Sequence, residues 1–263
     1  MKKQKMRLPD SLAILKNIKL IGLAIKIKEI IVIGDIHIGY EEALAKQGIL
    51  MPRFHFKDIM GSAERILKKT KPKTIILIGD LKHEFGRISD QEWRDTLRFL
   101  ALLQKYAKKI ILIKGNHDNI LAPIARKKGL EIVDKYILKD NADNKAGDIL
   151  FIHGNALPKL SKTQNKKIKT IIIGHEHAAV SIGTKIRREK YKCFLLGKYE
   201  DKDLIVMPSF NPIVEGTDMI KECPLGPFLT KYNLFKFTAF AVDENGKAYK
   251  FGTLKDIYQR QWH

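Results

Sequence analysis

Cysteine is nearly absent. Cys193 and Cys223 are the only two, far apart and in no metal-type spacing. That argues against a disulfide framework and fits a reducing cytosol, so a cytoplasmic location is expected. Long apolar runs are missing as well. The longest, such as "TIILIG" and "IIVIG", are strand-sized, so no membrane span is expected. The opening "MKKQKMRLPDS" has basic residues but no apolar stretch or small-residue cleavage site behind them, and it does not read as a signal peptide. No low-complexity linker divides the chain.

Acidic residues are scarce beside basic ones, 29 against 49, which leaves a formal charge of +20. Such a surface attracts polyanions, so nucleic acid or phosphorylated substrates are natural partners. The lysines, however, are scattered in pairs ("KKT", "YAKK", "RKKG", "KIRREKYK") rather than gathered in one block. A generally Lys-rich composition would look the same, and charge alone leaves the partner open.

The 263 residues suffice for one sizeable core or two small ones. We expect a single α/β domain over residues 1–263 whose last third, 180–263, is mainly β. Residues 12–28 alternate loosely between apolar and polar and predict one or two opening strands. "IIVIG", "TIILIG", "IILIKG", "DILFIHG" and "TIIIGHEH" read as buried strands. Residues 57–69 have helical spacing. The clearest helix is "SDQEWRDTLRFLALLQKYAKK", with Ser89 as candidate cap and Glu92 three residues on. A short helix broken near Pro123 and ended by Gly129 follows. "DENGKAY" includes an Asn-Gly hairpin signal.

What the chain does have is a repeated ending. Five apolar strands finish in Asp, Asn or His: "IIVIGDIH" (Asp35, His37), "IILIGDLKH" (Asp80, His83), "IILIKGNHD" (Asn116, His117, Asp118), "ILFIHG" (His153) and "IIIGHEH" (His175, His177). Of eight histidines, only His55 and His263 lie elsewhere. Ligands of open α/β sheets bind beyond the carboxyl ends of the strands, so these tips converge if the strands lie side by side. Extended backbone would turn Asp35 and His37, and likewise His175 and His177, toward one point, with Ile36 and Glu176 facing away.

A lone Asp at a strand end is usually a turn or cap residue, and a lone His153 or His83 reads as structural or surface. The joint pattern is different. Three carboxylates, one amide and six imidazoles exceed one closed site and include no thiolate. The set suits two divalent ions, manganese first among Mn, Fe, Co, Ni and Zn, with an aspartate bridging them. Such a pair supplies a hydroxide near neutral pH and clamps the oxygens of an in-line displacement, which serves phosphate esters best.

The ordered series Asp-x-His, Gly-Asp-x-x-His, Gly-Asn-His-Asp, His, Gly-His-x-His, spanning residues 35–177, resembles the calcineurin-like metallophosphoesterases. "HIGYEEALAKQGILMP" and "MPSFNP" resemble more narrowly the archaeal phosphoesterases related to the SbcD nuclease. The resemblance implies two packed mixed β-sheets flanked by helices, in four layers. It implies that Asp35, His37 and His177 hold one metal, that Asn116, His153 and His175 hold the other, and that Asp80 bridges them. It assigns His117 to the phosphate or leaving group, Asp118 to orienting His117, and His83 to phosphate contact.

Three readings stay open. One is a phosphodiesterase acting on DNA or RNA, as monomer or homodimer. Another is a small-molecule phosphomonoesterase or cyclic-nucleotide phosphodiesterase. The third is a non-catalytic metal-binding scaffold, which would be expected to have lost ligands that are all present here. Phe54, His55 and Phe56 are candidates for base stacking, although ordinary core packing explains them as well. "KECPLGPFL" and the pair Tyr40 and Glu41 are candidates for the pocket rim.

Overall fold

The computed structural model of the chain describes residues 10–49, 54–86, 88–140, 147–183 and 188–260. Its described strands form two sheets. In the first, seven strands lie side by side in chain order. These are β1 (Ser11–Leu15), β2 (Ile18–Ile21), β3 (Ala24–Ile27), β4 (Ile30–Gly34), β5 (Thr74–Ile78), β6 (Lys109–Ile113) and β7 (Ile132–Val133). The first four form an antiparallel meander, and β4 to β7 run parallel. The opening stretch therefore holds three strands, not one or two. Left-handed turns at Asn17 (φ 65°) and Gly22 (φ 58°) cut the alternating pattern into short pieces.

Parallel neighbours need crossovers, and helices supply them. Helices α1 (Tyr40–Lys46) and α2 (His55–Thr70) join β4 to β5, α3 (Asp90–Tyr106) joins β5 to β6, and α4 (Ala122–Lys127) joins β6 to β7. Ser89 caps α3 as expected, its hydroxyl accepting from the Glu92 amide at 3.1 Å. Pro123 lies in the first turn of α4 and so begins that helix instead of breaking it. Helix α1 was not legible beforehand; its run "YEEALAK" is short and buries only Ala43.

The second sheet contains β8 (Lys135–Leu138), β9 (Asp148–Ile152), β10 (Ile168–Ile173), β11 (Ala178–Gly183), β12 (Arg188–Tyr199), β13 (Lys202–Val206), β14 (Thr217–Asp218), β15 (Thr238–Val242) and β16 (Ala248–Thr253). Its order is β14-β11-β12-β13-β10-β9-β8, with β15 on β12 and β16 on β15. Strands β9, β10 and β13 are parallel. The β15–β16 hairpin turns at Asn245-Gly246, where Gly246 has φ 78°. Helix α5 (Lys162–Lys167) precedes β10, and α6 (Leu254–Arg260) follows β16.

Strand periodicity decides the layers. Val32, Ile76, Ile78, Ile111 and Ile113 face Phe151, Ile172, Phe194, Ile205 and Phe240 of the other sheet. Their neighbours Ile31, Ile33, Ile75, Leu77 and Leu112 face α2, α3 and α4. Across the molecule, Leu150, Ile171, Ile173, Leu195 and Leu204 pack under Phe228, Leu229, Leu254 and Ile257. Two mixed sheets flanked by helices is the expected class. Because β4, β5, β6, β9 and β10 all stop at their carboxyl ends near the seam between the sheets, the polar tips meet there. Phe151 and Phe194 are fully buried between the sheets. Truncating either to Ala should cost about 3–5 kcal/mol, read as a shift of the denaturant midpoint at unchanged m-value.

Candidate metal centre

The strand tips form one continuous cluster. The donor atoms of Asp35, His37, Asp80 and His177 all lie within 4.8 Å of one another, and so do those of Asp80, His153 and His175. Asp80 belongs to both groups. Asn116 joins the second, its Oδ1 lying 2.9 Å from His153 Nε2, which is itself 3.3 Å from Asp80 Oδ2. The seven positions assigned to metal thus lie in one cluster, and a further group whose donor atoms are equally close, His37, His83 and His117, overlaps it at His37.

The i, i+2 spacing works by a different geometry from the one expected. Asp35 (φ 53°), His37 (φ 46°), Asp80 (φ 49°), His175 (φ 65°) and His177 (φ 48°) are all left-handed, so the tips are not extended strand. Alternation survives nonetheless. Ile36 is buried in the helix-side core, and the Glu176 carboxylate turns away to accept from the amides of Leu225 (2.7 Å) and Gly226 (2.8 Å). Left-handed backbone in a residue with a side chain costs on the order of 1 kcal/mol each and persists only where the surroundings enforce it.

Those surroundings are visible. The amides of Ile36 and His37 both donate to the Asp80 carbonyl, at 3.0 and 2.9 Å. The Asp35 carboxylate accepts from the His175 amide at 3.1 and 3.0 Å, tying one sheet to the other. Asp80 Oδ1 accepts from the His117 amide at 2.9 Å. A Cβ at Gly115 would strike the Asp80 carboxylate, and one at Gly174 would lie 2.6 Å from Asp35 Oδ2, so only glycine lets these chains approach.

The resemblance gives Asp118 the task of orienting His117. Its carboxylate instead accepts from the amides of Gly115 (3.0 Å), Leu81 (3.0 Å) and Lys82 (3.4 Å), locking the loop after β6 onto the loop after β5. Burial, then the nearby Asp80 charge, raise its pKa to about 6. The His117 ring is set by another partner: its Nδ1 donates to the His83 carbonyl. A carbonyl only accepts, so Nδ1 carries a proton, and Nε2, 3.8 Å from Asp80 Oδ2, faces the cluster. His83 packs its ring on His117 with centroids 5.3 Å apart and places Nδ1 3.4 Å from that of His37. Tyr40 touches the His83 ring at 4.7 Å.

Several residues outside the ligand motifs support the first tip. Ser209 donates to the Asp35 carbonyl at 2.7 Å. Asn211 donates to the carbonyls of Ile36 and His37 at 3.0 and 3.2 Å, so "MPSFNP" braces the first tip. Lys192 holds that brace in turn, donating to the Ser209 and Asn211 carbonyls. The loop 222–229 meets the cluster's edge through Glu176 and through Gly226, beside the His175 ring.

The donor set fits divalent cations. His37 Nε2 and His177 Nε2 point at each other across 3.0 Å, beside two carboxylates that are 0 and 1 % exposed. Lone pairs packed this closely repel unless a proton or a metal ion lies among them. Burial, then His177, hold the His37 pKa well below the ordinary range. Burial, then His153, push His175 down to about 4, and burial, then His117, do the same to His83. These rings are neutral and ready to ligate. Burial works against a charged His153 too, but the Asp80 hydrogen bond and the Asp35 charge prevail and raise it to about 9. Its Nδ1 donates to the Ile78 carbonyl at 3.2 Å, so the extra proton occupies Nε2, where a metal would bind.

A model described as calcineurin-like phosphoesterase matches residues 28–167, just over half of the chain. The match contains Asp35 to His153 and stops before His175 and His177. No curated protein matches the sequence. Among solved structures, the nuclease MPE of Pseudomonas putida is similar over 92 % of this chain and 100 % of its own, at TM-score 0.61 and 16 % identity. The phosphoesterase YfcE of E. coli is similar over 82 % of this chain and 88 % of its own, at TM-score 0.40 and 12 % identity.

Two outcomes follow from this geometry. Manganese binding near pH 7 should expel the His153 proton. Calorimetry in buffers of different ionisation enthalpy should show one more proton released by the wild type than by His153→Gln. That difference should vanish as the pH rises through about 9, where the wild-type ring is already neutral. Asp80→Ala removes a donor from two of the groups and should lower the divalent metal retained by the protein well below that of the wild type, measured by elemental analysis after gel filtration.

Proposed function

Because the chain belongs to the calcineurin-like phosphoesterases, a family of metal-dependent hydrolases, we propose that it hydrolyses phosphodiester bonds, in nucleic acid or nucleotides, at a pair of divalent ions. The observation that carries this reading is the Asp80 carboxylate shared by two donor groups. Asp35, His37 and His177 would hold one ion, Asn116, His153 and His175 the other, with Asp80 between. Bound there, such ions supply a nucleophilic hydroxide near neutral pH and offset charge growing on the phosphoryl oxygens.

The remaining residues act on that site. His117 stands at its edge, its side chain 15 % exposed, with Nδ1 fixed by the His83 carbonyl. Its Nε2 is the position from which a proton reaches the leaving oxygen or a hydrogen bond reaches the phosphoryl group. His83, neutral in this setting, supports the His117 ring face to face. Asp118 keeps both loops in register and so holds Asp80 and Asn116 at their working distance. The +20 charge favours a polyanionic substrate, and the Pseudomonas putida protein of like fold is a nuclease.

The test is a panel of single-stranded DNA, RNA, mononucleotides, cyclic nucleotides and bis-p-nitrophenyl phosphate against manganese, zinc, nickel, cobalt and iron. Diester hydrolysis that vanishes with chelator and returns with metal supports the reading; activity confined to monoesters overturns it. In the same assay His117→Ala should keep its metals and lose about a hundredfold or more in kcat, the scale of a removed proton donor or charge stabiliser. Full activity of that variant on an unactivated diester would remove His117 from its role.

A further inference from the structure

Two buried charges next to the metal centre are devoted to a short loop. Lys82 is fully buried, and its ammonium donates to the Glu84 carbonyl. Glu92, also fully buried, reaches out of α3 and accepts from the amides of His83 at 2.7 Å and Glu84 at 2.9 Å. These bonds hold the backbone of residues 83 and 84 in place, while Glu92 Oε2 is buried with no hydrogen-bond partner among the described residues. What it presents is Phe85. That ring is 56 % exposed, and its centroid lies 3.8 Å from that of His117 at an interplanar angle of 36°. One face covers the imidazole at the edge of the reaction site, and much of the apolar surface faces water.

The surroundings show what could cover it. The site handles a phosphate on the reading proposed above, on which this inference rests. A planar group carried next to that phosphate reaches Phe85 without leaving the metal centre. A cavity of about 570 Å³ also begins at Gly115 and Asn116 and is lined by Lys114, Lys135 and Lys159. A base-bearing chain with further phosphates matches both features, because every base has a face to stack and each lysine attracts the backbone. Bases inside a duplex are already stacked on one another, so the matching occupant is a single strand or an unpaired end.

We propose that Phe85 is a specificity-determining residue that stacks on the nucleobase flanking the scissile phosphate of a single-stranded substrate. Phe54, although 65 % exposed, makes no such contact with a site histidine among the described residues, and Phe56 packs against the core.

The experiment compares kcat/KM for thymidylyl-thymidine with that for the same diester carrying an abasic sugar on either side, using the manganese-loaded full chain. The wild type should prefer the base-bearing diester. Phe85→Ala should reduce that preference about tenfold, the scale of one base–aromatic stack, mainly through KM. Phe85→Trp should restore it, and metal content and thermal midpoint should match the wild type in both variants. Equal preference in wild type and Phe85→Ala, an equal loss on both diesters, or a wild type indifferent to the base would each overturn the stacking role. A wild type that cleaves neither diester would overturn the phosphodiesterase reading itself, and the stacking role with it.

Discussion

Everything at this centre depends on crowding of like with like. Two buried carboxylates and several neutral imidazoles turn their lone pairs toward points only a few ångströms across, and Asp80 faces both points. Without a cation the arrangement repels itself. A proton on His153 Nε2, between Asp80 and Asn116, would relieve part of this. That proton stands where a second ion would sit, so proton and metal compete for one nitrogen. The competition links the electrostatics of the buried cluster to its capacity for metal.

Holding such a cluster together takes strain, and the strain is local. Among the described residues, five of the nine non-glycine positions with positive φ are candidate ligands. Left-handed backbone at these points is stabilised by hydrogen bonds from other segments: the Asp80 carbonyl accepts from the Ile36 and His37 amides, Asn211 donates to their carbonyls, and the Asp118 carboxylate accepts from the amides of the β5 loop. Each brace comes from a different segment of chain. A single loosened brace therefore acts on the donors at a distance, through backbone position and not through a lost ligand.

Much of this could be read from the sequence because strand endings are local. A β-branched run followed by Gly and then Asp or His announces both the strand and the chemistry at its tip. Thus β4, β5, β6, β9 and β10 and all seven proposed ligands were legible. The conformation of the tips was not, since spacing alone is silent on whether i and i+2 align through extended or alternating left-handed backbone. The braces were hidden for a related reason. Ser209 and Asn211 reach the first tip across more than a hundred residues of chain, Lys192 bonds to their carbonyls, and their types are ordinary in loops. Glu92 looked like a capping partner for Ser89, yet tertiary contacts drew its carboxylate to His83 and Glu84. Phe85 had no periodicity to mark it, and only its placement on His117 distinguishes it from any exposed loop aromatic.

The ligands are divided between the sheets in a way that has physical consequences. Asp35, His37, Asp80 and Asn116 follow strands of the first sheet, while His153, His175 and His177 follow strands of the second. The two donor groups that contain Asp80 each draw on both sheets. The apolar layer between the sheets holds them together along their length, but it is non-directional and tolerates small shifts of one sheet on the other. At the tips, the direct protein contacts across the seam include the Asp35–His175 hydrogen bonds and the close approach of His153 to Asp80. A cation bound by either group would add directional bonds at the place where the core supplies none. The same ions that provide the chemistry would then fix the relative position of the two halves that hold them.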